Sequence, residues 1–148
     1  MNRKAAILLL ASALAGCANI SFSRKQTPDE LRLAQEVHDY YTEIGSAFAA
    51  GNSSGLASLF SSDITHPMSQ PEILAWAHKF FGQNRNAHFK VEKLDIDELS
   101  YIRAVVTLNY KVETPSGKGN FGGVERDVLT RQRGHWYMAE WEKVPPSK

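Results

Sequence analysis

Apolar residues recur at helical spacing over the first half of the chain and alternate over the second. Thr27-Pro28-Asp29-Glu30 opens the first helix, with Thr at the N-cap, Pro in the first turn and Glu three residues on. Leu33, Val37, Tyr40, Tyr41, Ile44, Ala47 and Phe48 then share one face at about 100° per residue. Gly51-Asn52 stops that helix. Ser53 or Ser54 is expected to cap a short second one carrying Leu56, Leu59 and Phe60. A loop is expected over 61–67. Ser69-Gln70-Pro71-Glu72 is a second capping box, Ile73, Trp76, Ala77 and Phe80 form the next stripe, and Gly82 is expected to end it.

Beyond Gly82 the period becomes two. Strands are expected over 87–94, 101–113, 121–132 and 135–144. In the second, Ala104, Val106, Leu108, Tyr110 and Val112 occupy one face, while Val105, Thr107, Asn109 and Lys111 occupy the other. Pro115 to Asn120 is a hairpin loop and Arg133-Gly134 a tight turn. Helices first and antiparallel strands afterwards predict an α+β domain.

The segment ahead of these elements has a different character. Asn2-Arg3-Lys4 is a short positive stretch, and Ala5 to Ala13 is small and apolar. These are the n-region and h-region of a secretory signal. The apolar run falls short of the about 20 residues needed to cross a bilayer. Leu14-Ala15-Gly16-Cys17 comes next, and Cys17 is the only cysteine, so no disulfide can form within the chain. The segment resembles a bacterial lipoprotein signal. That resemblance implies cleavage before Cys17, acylation of the thiol by diacylglycerol and of the freed amine by a third chain, palmitate being typical. The expected organisation is a signal peptide over 1–16, a lipidated polar tether over 17–26 and one domain over 27–148. Ala18, where enteric lipoproteins retained at the inner membrane carry Asp, implies the periplasmic face of the outer membrane.

Composition excludes several functions. The chain has 17 basic and 16 acidic residues, and 43% of it is hydrophobic. Cleavage removes Arg3 and Lys4 and leaves 15 basic against 16 acidic. That balance gives no electrostatic footprint for nucleic acid. No Cys/His cluster has metal-ligand spacing. His38, His78, His88 and His135 stand without a Cys partner, so neither a metal nor a cofactor is expected.

Three stretches carry a second resemblance: Ala47-Phe48-Ala49-Ala50-Gly51-Asn52, Leu56 to Phe60 with Ser61-Ser62-Asp63, and Arg126 to Trp136 across the Arg133-Gly134 turn. They resemble the nuclear transport factor 2-like superfamily, which includes ketosteroid isomerase and the polyketide cyclase-like proteins. The resemblance covers about residues 28–144 and implies a cone-shaped, curved antiparallel or mixed sheet wrapped around three N-terminal helices, with a pocket at its open end. That fold hosts enzymes and plain binding domains alike.

Four residues are candidates for acid–base chemistry. Asp63 reads as a solvated loop residue or as an acid at the pocket mouth, and His66 as an ordinary loop histidine or a base. Asp127 shares a strand face with Glu125, Leu129 and Arg131, which is either a polar pocket wall or a salt-bridged outer face. Polyketide cyclase-like members often carry a pocket-facing Asp at its offset from the turn glycine. Glu140 shares a face with Trp136 and Met138 unless a bulge rotates it outward. Asp63, Arg131 and Asp127 also have the residue types of an epoxide-hydrolase-like set around one water. The ligand pocket is expected to involve Tyr41, Trp76, Tyr110, Asp127 and Arg131, although the aromatic three also read as core packing.

Three functions stay open. The cone binds an apolar small ligand or an envelope protein without catalysis, it houses a small acid–base enzyme, or it is a filled structural module. In the last case the outer sheet face pairs with a second copy. No catalytic motif is present, which favours the non-catalytic readings.

Overall fold

In the computed structural model the described residues are 25–145. The signal segment, Cys17, most of the tether and the last three residues lie outside them. Three helices, α1 (Pro28–Ala50), α2 (Ser53–Ser58) and α3 (Gln70–Gln83), precede four strands, β1 (His88–Leu99), β2 (Arg103–Glu113), β3 (Phe121–Gln132) and β4 (His135–Lys143). The strands form one curved, unclosed antiparallel sheet in the order β1-β2-β3-β4, with the helices against its concave face.

Local chemistry sets the helix ends. Thr27 and Glu30 close a reciprocal capping box, with Thr27 N donating to Glu30 Oε2 at 2.9 Å and Glu30 N to Thr27 Oγ1 at 3.2 Å. Gly51 ends α1 with φ 61°, a left-handed conformation that favours glycine. The α1 stripe is buried throughout and meets Val106, Leu108 and Tyr110 of β2 in one core.

Several boundaries differ from the sequence reading. Asn52, rather than Ser53 or Ser54, caps α2, its side chain accepting from Gly55 N at 2.8 Å. Ser53 turns inward and meets His78 Nδ1 through its hydroxyl at 3.2 Å. Leu59 is the C-cap, and Phe60 has left the helix to pair in parallel with Met138 of β4. Ser61 N donates to Met138 O at 2.8 Å and Met138 N to Leu59 O at 2.9 Å. Gly82 lies inside α3, which ends at Asn84. The backbone N–H and Nδ2 of Asn84 both donate to Phe80 O, at 2.8 and 3.0 Å.

β1 and β4 differ because of β-bulges. β1 runs on to Leu99, because register shifts at Val91/Lys93 and Ile96/Glu98 interrupt its alternation without ending its pairing. β2 starts at Arg103, leaving Tyr101 and Ile102 in the connection. In β4 the register with β3 shifts between Val128 and Leu129, so Met138 faces Leu129 and Glu140 faces Val128, and Ala139 is the extra residue. Glu140 therefore points outward and is exposed, while Trp141 turns inward against Phe60. The expectation that Glu140 shares the Trp136/Met138 face is overturned by that one residue.

Candidate functional site

The cone is not filled by its own side chains. A cavity of about 800 Å³ lies between the C-terminal half of α1, α2, α3 and the concave sheet face. Its walls are aromatic. Phe48 stands at the centre of a ring lattice, with centroids 5.3 Å from Phe81, 5.7 Å from Phe89, 6.0 Å from Phe80 and 6.4 Å from Trp76. Trp76 stacks on Phe80 at 5.2 Å with planes 13° apart, and Phe121 closes edge-on against both. Such walls present flat, polarisable surfaces to a ring-bearing molecule. The exposed lining residues, among them Ser116, Lys118, Asn120 and Lys143, mark the mouth. They come from the β2–β3 hairpin and the end of β4.

Two carboxylates cross the apolar interior. β3 alternates so that Glu125 and Asp127 both face the concavity. Asp127 is wholly buried, at 0% exposure. Tyr41 of α1 donates its hydroxyl to Asp127 Oδ2 at 2.7 Å, and Oδ1 has no hydrogen-bond partner among the described residues. Tyr110 of β2 donates to Glu125 Oε1 at 2.7 Å. Gly122 of β3 runs close against the backbone of β2: a Cβ on it would stand 2.4 Å from Tyr110 O.

Burial pushes the Asp127 carboxyl up to about 7. The Tyr41 hydrogen bond opposes the rise and the neighbouring Glu125 charge adds to it. Glu125 is also raised by burial, against the Tyr110 hydrogen bond and the Lys143 charge that favour its ionised form. Tyr41 is held well above its ordinary value by burial first and by the Asp127 charge next, so it stays a donor. Near neutrality the Asp127 carboxyl is thus balanced between its protonated and charged forms inside the apolar concavity.

Of the residues singled out from the sequence, Tyr41, Trp76, Tyr110 and Asp127 line this cavity. Arg131 does not. It faces inward but its Nε donates to Glu36 Oε2 of α1 at 2.9 Å, and its guanidinium lies 4.6 Å from the Tyr101 ring centroid. Asp63 and His66 are exposed and absent from the lining. Ile64 is the member of that loop that enters the core, which turns its neighbours outward. His66 Nδ1 meets only Thr65 Oγ1, at 3.3 Å. No Asp-Arg-Asp set is assembled, and Glu140 is on the convex face. Among the described residues no cluster of His, Cys, Asp or Glu could hold a metal ion. Glu125 was not singled out as a site residue, although its place two residues before Asp127 on one strand face was visible.

No family model and no curated protein matches the chain. Solved structures do resemble it. A protein of unknown function from Mycobacterium tuberculosis aligns at 16% identity over 75% of this chain and 74% of its own, with a TM-score of 0.65. A scytalone dehydratase-like protein from Novosphingobium aromaticivorans aligns at 14% identity over 78% and 86%, TM-score 0.62. A Nostoc punctiforme protein of unknown function with a cystatin-like fold aligns at 14% identity over 84% and 97%, TM-score 0.62. At such identities the likeness establishes the fold alone, three helices against the concave face of one curved, unclosed antiparallel sheet.

Proposed function

We propose that this chain is an envelope lipoprotein, anchored through Cys17, whose cone binds an apolar ring-bearing small molecule and hydrogen-bonds one polar group of it at Asp127. One observation carries the ligand reading: an 800 Å³ aromatic-walled cavity encloses a wholly buried carboxylate with Oδ1 unpartnered. A buried polar atom without a partner is costly; a ligand hydroxyl would donate to the charged carboxylate, and a ligand carbonyl would accept from the protonated acid. The mouth residues Lys118 and Asn120 suit a polar or anionic end left at the opening. The anchor reading is supported by the Leu14-Ala15-Gly16-Cys17 box and the segments before it.

A second reading has its own support. A carboxyl with a pKa near 7 is matched to proton transfer at neutral pH, so an acid–base reaction on the bound molecule is the alternative. The aromatic-walled, acid-floored cavity fits both.

The test compares 2-naphthol with naphthalene, titrated against the parent and Asp127→Ala. A hydrogen bond to a charged group contributes about 1.5–3 kcal/mol. The parent should therefore bind 2-naphthol at least tenfold more tightly than the variant does, while naphthalene distinguishes the two little. No saturable binding of either compound overturns the ligand reading. Equal binding of 2-naphthol to both proteins removes Asp127 from it.

A further inference from the structure

The end of the cone remote from its mouth carries an apolar tip that the core does not use. Successive strands set the directions. The β2–β3 hairpin belongs to the mouth, so the β1–β2 connection over 100–102 and the β3–β4 turn at Arg133-Gly134 stand at the opposite end. The N-terminal half of α1 is there too, because Glu36 bonds Arg131 and Arg131 lies under Tyr101.

Three large apolar side chains from two segments are exposed at that end: Ile102 at 67%, Tyr101 at 64% and Leu31 at 54%. Turns are usually built from Gly, Asn, Asp, Ser or Pro, and a Tyr-Ile pair at a strand connection is unusual. The tip is also held firmly. Ser100 N donates to Arg103 O at 2.8 Å, Arg103 N to Ser100 Oγ at 3.1 Å and Arg131 N to Ile102 O at 2.9 Å. Lys25 and Arg133 stand exposed at the same end, together with Asp29, which faces Arg32 across one helical turn at 3.9 Å.

The chain outside the described residues leaves from here. Cys17 is eight residues before Lys25, a reach of at most about 28 Å when fully extended. α1, with 23 residues, is itself about 35 Å long. A tether shorter than the helix, attached at the helix's near end, is too short for the cone to stand inverted with its mouth on the membrane.

We infer that the Leu31, Tyr101 and Ile102 tip seats on the surface of the lipid bilayer, so that the cone stands on its closed end with its mouth turned away from the membrane. The inference rests on the proposed acylation of Cys17. Apolar residues beside basic ones, with a tyrosine among them, suit the headgroup boundary. The ligand would then enter from the aqueous side and not out of the bilayer.

The experiment uses the full chain, processed in a two-membrane bacterium and reconstituted into phosphatidylethanolamine–phosphatidylglycerol vesicles. Ile102→Cys and Ser116→Cys are each labelled with a small environment-sensitive fluorophore. Acylated Cys17 takes no label, so the unlabelled parent is the control for the anchor. The expected result is flotation of all three proteins, several-fold quenching at position 102 by a quencher-bearing lipid, and quenching at position 116 by iodide only. Position 102 quenched by iodide and not by lipid overturns the seating while the anchor stands. Lipid quenching at 116 reverses the orientation and overturns it as well. Lipid-independent energy transfer between labels at 102 on two copies assigns the tip to self-association instead. A parent that takes label and fails to float overturns the anchor and the seating together, leaving the cone's ligand binding unaffected.

Discussion

Tyr41 and Asp127 lie 86 residues apart in the chain and 2.7 Å apart in the fold, hydroxyl to carboxylate, with no exposure left on the acid. The pair joins the middle of α1 to the middle of β3 across the apolar concavity. Everything chemical about the cone depends on how that carboxyl titrates.

Its pH dependence has a definite sign. The Asp127 carboxyl moves from an ordinary 3.8 to about 7 on folding. Below pH 4 it is protonated whether the chain is folded or not, and the site costs nothing. Between about 4 and 7 only the unfolded chain releases the proton, so stability falls as pH rises, by at most about 4 kcal/mol. Asp127→Asn has no such proton to lose. Thermal melts from pH 4 to pH 8 should therefore fall more steeply for the parent, with the variant the more stable above pH 7. Parallel profiles would show that Asp127 is not the titrating group.

Tyr41→Phe removes the one donor that stabilises the charged acid. The expected cost is about 1.5–3 kcal/mol at pH 8 and less at pH 5, where the carboxyl is neutral. The Asp127 pKa should rise above its parent value. Carbon-detected NMR titration of the carboxyl reads this directly, and a lowered value contradicts the assigned hydrogen bond.

Phe48 is buried at the crossing of four aromatic contacts, to Trp76, Phe80, Phe81 and Phe89. Phe48→Ala should cost about 3–5 kcal/mol, a large share of the stability of a domain this size. Chemical denaturation measures the loss. A variant as stable as the parent removes Phe48 from the core.

Arg131 and Glu140 separate structure from site. Arg131→Met breaks a pair whose arginine side chain is only 8% exposed, leaving Glu36 to Arg32 alone, and should lower the melting temperature while 2-naphthol affinity holds. Glu140→Gln sits on the convex face and should change neither quantity. Loss of affinity in either variant with stability unchanged would put that residue back at the pocket.

Much of the fold was legible in the chain. The α1 stripe from Leu33 to Phe48 is a local pattern that packs on one sheet face, so its period alone identifies the buried side. Alternation likewise puts Asp127, Leu129 and Arg131 on one face, and all three do turn inward. The partners those side chains find are not a local matter. Arg131 is captured by Glu36 on α1, and Asp127 by Tyr41, because the long helix brings both partners over the concave face of the sheet. The displacement of Phe60 from α2 depends on a vacant edge of β4, and the run of β1 past Leu94 on bulges against β2. Pairing with distant strands decides these, and no window of neighbouring residues contains it.

The extra residue Ala139 has a consequence for how this fold can change. Side chains beyond it are read in a frame that it sets. With Ala139 in place, Trp141 and Lys143 belong to the interior and Glu140 and Glu142 to the exterior. Drawing that alanine into regular pairing would exchange the two sets and bring two acids into a cavity that already holds Glu125 and Asp127, whereas deleting it would leave a regular strand with both sets where they are. The polarity of the chamber's β4 wall therefore hangs on one residue standing unpaired, and not on the order of the amino acids around it.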